Sequence, residues 1–234
     1  MNAMNRNESL SYPIESGINL QLVMRQVYIW MSLGMLLTAI VAYVTVNTAL
    51  INLATNPIIL LVAIIAEFGL VMGIGFGFSR ISSGTAGILF FVYAALNGFT
   101  LSMVLLAFST ASVFAAFVAT AALFGAMSII GYNTQVDLSK MGTYLMMGVI
   151  GLIIAMVVNM FVNSGPLDMI ISLAGVLIFT ALTAYDTQRI GRMAAEMSVQ
   201  GDAMAKLGIF GALKLYLDFI NMFLFMLRLI GRRR

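Results

Sequence analysis

The 234-residue sequence predicts an all-α membrane protein with seven transmembrane helices. Three observations predict it. Hydrophobic residues make up 62% of the chain and charged residues only 9%, where an ordinary soluble domain carries about 25% charge. The apolar excess recurs as segments of spanning length along the whole chain rather than forming one patch. Lysine and arginine fall in alternate connections between these segments, as they do when a chain threads a bilayer.

Taken in order, residues 1–20 form a polar lead (Asn2, Asn5, Arg6, Asn7, Glu8, Ser9), expected to be disordered, and residues 21–234 a single seven-helix domain. The lead lacks the charged, apolar, small-residue order of a cleavable signal, so the first hydrophobic segment is expected to stay. Hydropathy places the spans near 27–47, 57–79, 86–108, 112–132, 143–163, 169–188 and 209–230. Asn56-Pro57, Ser82-Ser83-Gly84 and Ser164-Gly165-Pro166 mark turns, and residues 189–207 form the one longer polar link. In the second span, Gly69, Gly73 and Gly77 repeat at a spacing of four, which predicts close approach of a neighbouring backbone.

Arg6, Arg25, Arg80, Lys140, Arg189, Arg192 and Lys206 lie before the first span or in the 2–3, 4–5 and 6–7 connections. The 1–2, 3–4 and 5–6 connections contain no lysine or arginine, so a cytoplasmic N-terminus is expected. Arg228 and the Arg232-Arg233-Arg234 tail break this pattern. Either the last segment is re-entrant or six well-biased spans overrule the late charges. A true seventh helix is the expectation.

Composition excludes several chemistries. With no cysteine and no histidine, the chain lacks thiol catalysis, disulfides and the usual zinc and pH-switch residues. A net charge of +3 with no accompanying motif gives no case for nucleic-acid binding. No Gly-x-Ser-x-Gly elbow or phosphate loop is present, and no cofactor is expected.

The informative residues are acids at membrane depth, where an ionisable group is costly and functional by default. Asp186 precedes Arg189 by one turn, and Asp218 follows Lys214 by one turn. If Arg189 and Lys214 mark the same membrane edge, each aspartate lies on the order of 5 Å inside it. Two carboxyls meeting there could share a proton or, when ionised, form a transient calcium site. The competing reading neutralises each locally, Asp218 by Lys214 and Asp186 by Arg189 or Thr183. Lys214, Asp218 and Asn221 fall on one face of the last span, which should point inward. Glu67 lies away from the glycine stripe and could line a cavity, reach Arg80 indirectly or sit neutral. An intramembrane aspartyl protease would require Gly-x-Gly-Asp. Here Asp186 follows Ala184-Tyr185 and Asp218 follows Tyr216-Leu217, so the chain is not expected to be an enzyme.

Ala184-Tyr185-Asp186-Thr187-Gln188 and Leu215-Tyr216-Leu217-Asp218-Phe219-Ile220-Asn221 together resemble the Bax inhibitor family, specifically its short bacterial inner-membrane members. The likeness runs from Gln26-Val27-Tyr28 to the basic C-terminus. It implies two three-helix layers around a central C-terminal helix. It also implies a pH-sensitive calcium leak channel or transporter, with Asp186 and Asp218 as proton sensor and Arg80 as a latch. The alternative it implies is a regulatory protein that binds a membrane-bound ATP-dependent protease or another stress component. The expected partners are therefore the lipid bilayer, calcium ion and such a protease.

Overall fold

In a computed structural model, residues 8–77, 80–196 and 201–232 are described, with side chains from residue 20 onward. Among them are eight helices: α1 Glu8–Val46, α2 Ile51–Ala54, α3 Pro57–Gly77, α4 Ser83–Ala107, α5 Thr110–Asn133, α6 Met141–Val162, α7 Gly165–Glu196 and α8 Asp202–Ile230. All but α2 are long and apolar enough to cross a membrane. The chain is an all-α membrane protein.

The turns hold because each helix end finds a partner for its orphan backbone groups. Asn56 accepts hydrogen bonds from the Ile58 and Ile59 amides ahead of α3, whose first residue is Pro57. Ser82 and Ser109 cap α4 and α5 through the Thr85 and Ser112 amides. Asn163, in the left-handed region at φ 50°, closes α6. At the N-terminus, α1 reaches back to Glu8, so the stretch expected as a disordered lead is helical from there. Extending a helix costs less than nucleating one.

Helices α1, α3 and α4 form one layer and α5, α6 and α7 the other, with α8 packed against α1 and α4 on one side and α5 and α7 on the other. Burial follows this order: 72% of the apolar window of α8 is buried, against 11% for α3 and for α6. In each triplet the middle span is outermost, α3 resting on α4 and α6 on α7. At 29 unbroken residues, α8 is about 43 Å long, enough for a full span rather than a re-entrant segment. Just beyond its far end, the Arg232 carbonyl accepts from the Ser109 amide in the α4–α5 turn and the Arg232 amide donates to Ser112 Oγ in the first turn of α5.

The glycine expectation fails. A Cβ added at Gly69 or Gly73 meets nothing within 4 Å, and at Gly77 only the Ile81 side chain. Among the described residues, no helix packs on that face of outermost α3. Close backbone approach occurs instead at Gly98, against the Thr38 backbone, and at Gly131, against the Ala184 backbone. These two glycines seat α4 on α1 and α5 on α7.

Candidate functional site

Helix α8 is polar toward both layers at the level of its middle turns. Tyr216 and Asp218 are two residues apart, which places them about 200° apart around the axis. Asp218 serves the α7 side and Tyr216 the α1/α4 side.

On the α7 side, Asp186 and Asp218 are both buried, each 5% exposed. Lys214 reaches across from α8 and donates to Asp186 Oδ1 at 3.2 Å and Oδ2 at 3.4 Å. Asp218 Oδ2 is buried with no hydrogen-bond partner, and Asp186 and Lys214 are its charged neighbours. This differs from both sequence readings. No hydrogen bond joins the two carboxyls among the described residues, so a bridge through a shared proton is not formed. Local neutralisation is also misassigned: Lys214 pairs with Asp186 rather than Asp218. Arg189 turns to the Tyr185 hydroxyl and Thr183 donates to the Phe179 carbonyl. The reason is rotational. An i, i+4 pair on α8 competes with a carboxylate presented by the neighbouring helix, and the interhelical partner wins.

A cavity of about 400 Å³ opens onto this pair, lined by Gly142, Thr143, Tyr185, Asp186, Arg189 and Lys214 among others. The Lys214 side chain is 27% exposed and that of Asp186 7%, so the ammonium is the more accessible member. The α5–α6 loop forms the rim. Gln188 holds it, accepting from the Leu138 amide at 2.9 Å and donating to the Val136 carbonyl at 2.7 Å. Arg192 pairs with Asp137 and donates to Ser139 Oγ. The Ser139 amide and hydroxyl, with Arg192, hold the Asp137 carboxyl down at about 2.

On the other side, Tyr216 is fully buried and its hydroxyl donates to Asn97 Oδ1 at 3.1 Å. Thr38 Oγ lies 2.6 Å from the same hydroxyl. Asn97 Nδ2 reaches Glu67 Oε2 at 3.4 Å, and Thr100 donates to Glu67 Oε1 at 2.8 Å. Four helices, α1, α8, α4 and α3, are thus linked by one polar chain ending on Glu67. Sequence reasoning singled out Glu67 but missed Thr38, Asn97, Thr100 and Tyr216. Asn97, an amide within the apolar run of α4, was the available signal.

The remaining site residues do not join either cluster. Asn221 donates to the Leu217 carbonyl of its own helix, so the Lys214–Asp218–Asn221 stripe is not a single network. Arg80 is exposed in the α3–α4 turn, with no carboxylate within ion-pair distance among the described residues. No group of three or more acidic side chains comes together among the described residues, and Lys214 already occupies Asp186. Calcium takes six to eight oxygen ligands. Asp186 and Asp218 alone do not supply a resident site of that kind.

The model of the family described as "Inhibitor of apoptosis-promoting Bax1" matches residues 20–234, essentially the whole membrane domain. The chain belongs to the Bax inhibitor family. Among bacterial relatives, the "Inner membrane protein YbhL" of Escherichia coli K12 is 41% identical over the full length of both chains. An uncharacterized Borreliella burgdorferi protein is 44% identical over 87% of this chain and 89% of its own. A Deinococcus radiodurans protein is 44% identical over 90% of each. As a Bax inhibitor family member with seven apolar spans and an inner-membrane relative of equal length, the protein is an integral membrane protein of the bacterial inner membrane.

Proposed function

We propose that the protein is a pH-sensitive calcium leak pathway in which protonation at Asp218 controls the α7–α8 contact. The observation that carries this reading is the buried Asp218 oxygen left without a partner beside the Lys214–Asp186 pair. An unpaired carboxylate in such surroundings costs several kcal/mol, whereas the neutral acid needs only a local hydrogen bond. With Asp218 neutral, Lys214 stays on Asp186 and the helices remain packed. With Asp218 ionised, it competes for Lys214 and repels Asp186, and the contact between α7 and α8 loosens. Calcium then passes as cargo, approaching through the cavity that ends at Asp186 and Lys214. Permeation is expected to rise as pH rises.

The pathway reading includes an orientation. Arg25, Arg80, Lys140, Arg189, Arg192 and Lys206 lie at one membrane edge, which is cytoplasmic by the charge rule, so the Asp186 cavity opens toward the cytoplasm. Calcium uptake by proteoliposomes carrying the purified protein tests the function. Uptake above that of protein-free vesicles, increasing with pH, is the expected result. Uptake equal to protein-free vesicles at every pH would leave the regulatory, protein-binding reading in its place.

A further inference from the structure

The two layers do not close on each other everywhere. Along their halves at the basic edge, α1 and α5 leave a cleft of about 510 Å³, the size of a small-molecule site (~300–1,000 Å³). Its inner wall is apolar, with Met24 and Phe124. Ile129, 65% exposed, forms a lip open to the bilayer. At its mouth stands Arg25, exposed and with no ion-pair or hydrogen-bond partner among the described residues. Tyr28 and Tyr132 flank it, the residue type that settles at headgroup level. One turn deeper than Tyr132, about 6 Å by helical rise, lies Ser128. This side chain is 5% exposed, lines the cleft, and its hydroxyl has no hydrogen-bond partner.

From this arrangement we infer that the α1/α5 cleft is a binding site for one anionic glycerophospholipid of the surrounding leaflet. The three features match such a lipid in depth order. Arg25 meets the phosphate-bearing headgroup, and basic residues between spanning helices recognise anionic heads in this way. The Ser128 hydroxyl, otherwise wasted, donates to a glycerol-ester carbonyl below it. An acyl chain fills the apolar wall as far as Phe124. Because the lip faces lipid, the occupant enters from the bilayer and not from water. The floor of the cleft bears on the centre of the molecule: Phe124 packs on Phe219 with ring centroids 5.5 Å apart, and Phe219 follows Asp218 on α8. A bound chain therefore braces α8 beside its unpartnered carboxyl.

Native mass spectrometry of the full-length protein, offered equal amounts of phosphatidylglycerol and phosphatidylcholine, tests this. The wild type should retain phosphatidylglycerol in preference, and Arg25→Gln should lower that retention about fivefold, the worth of one basic residue at an anionic surface. Gly125→Leu should abolish retention, because a Cβ at Gly125 meets nothing within 4 Å and the larger side chain grows into open space of the cleft. Arg80→Gln, an exposed arginine at the same edge but outside the cleft, should change nothing. Equal retention of the two lipids by the wild type would overturn the site. So would an equal loss in Arg80→Gln, which means diffuse surface charge, or wild-type retention in Gly125→Leu. If Gly125→Leu does not yield monodisperse protein, Ser128→Val replaces it, with reduced phosphatidylglycerol retention expected and unchanged retention overturning the proposal.

Discussion

At Tyr216 a single hydroxyl joins the central helix to one layer. Removing it in Tyr216→Phe leaves Asn97 Oδ1 without its donor in a buried setting, while Thr38 keeps the Gly34 and Ala94 carbonyls. That loss should cost about 1–3 kcal/mol and lower the thermal midpoint in detergent. Tyr144→Phe, at a tyrosine 75% exposed, should leave the midpoint where it was. Asp137 allows a second residue-level expectation. Its folded value is depressed, so the Asp137–Arg192 clasp is fully present above the ordinary carboxylate value and is lost only as pH falls from about 4 toward about 2. Protease nicking of the α5–α6 loop should therefore be flat between pH 5 and 8. A neutral-pH response of the protein must arise elsewhere. The charged residues of the site were visible in the sequence because Asp186, Asp218, Lys214 and Glu67 stand out against apolar neighbours. Which carboxylate Lys214 takes was not visible, since it depends on how α7 and α8 rotate against each other. Tyr216 was hidden for a different reason: tyrosine in an apolar run reads as one more large hydrophobic residue.

Among the elements, α3 and α5 make the sharpest contrast. Both carry glycines, but among the described residues α3 packs chiefly on α4 while α5 is wedged on α7. Gly131→Leu would drive a side chain into the Ala184 backbone, which the core cannot accommodate, and should destabilise by about 3 kcal/mol or more. Gly73→Leu projects into open space and should shift stability by no more than about 0.5 kcal/mol. Thermal midpoints of the two variants in the same detergent decide this, and equal losses would contradict the assigned layer order. Hydropathy located every span, because hydrophobic length is a property of each segment alone. Polar turns, however, extend the first span back to Leu20, α7 on to Glu196 and α8 back to Asp202, so most of the polar link expected over 189–207 is helical. Periodicity could not identify the packed face of α3, because a spacing of four marks a stripe without saying whether a neighbour lies against it.

For the whole molecule, the orientation proposed from the internal lysines and arginines is easy to test in a cysteine-free chain with seven spans. A membrane-impermeant thiol reagent applied from outside should label Ser164→Cys in the α6–α7 turn and spare Ser139→Cys in the α5–α6 loop. The reverse pattern would place the Asp186 cavity on the external side. Asp218 is the central residue, buried beside a charge pair with its Oδ2 left without a hydrogen-bond partner. Calcium flux into proteoliposomes, followed from pH 5 to 8 for wild type, Asp218→Asn and Asp186→Asn, addresses it directly. The predicted result is flux that rises with pH in the wild type and a flattened profile in both variants. A wild-type pH profile retained in Asp218→Asn would contradict it.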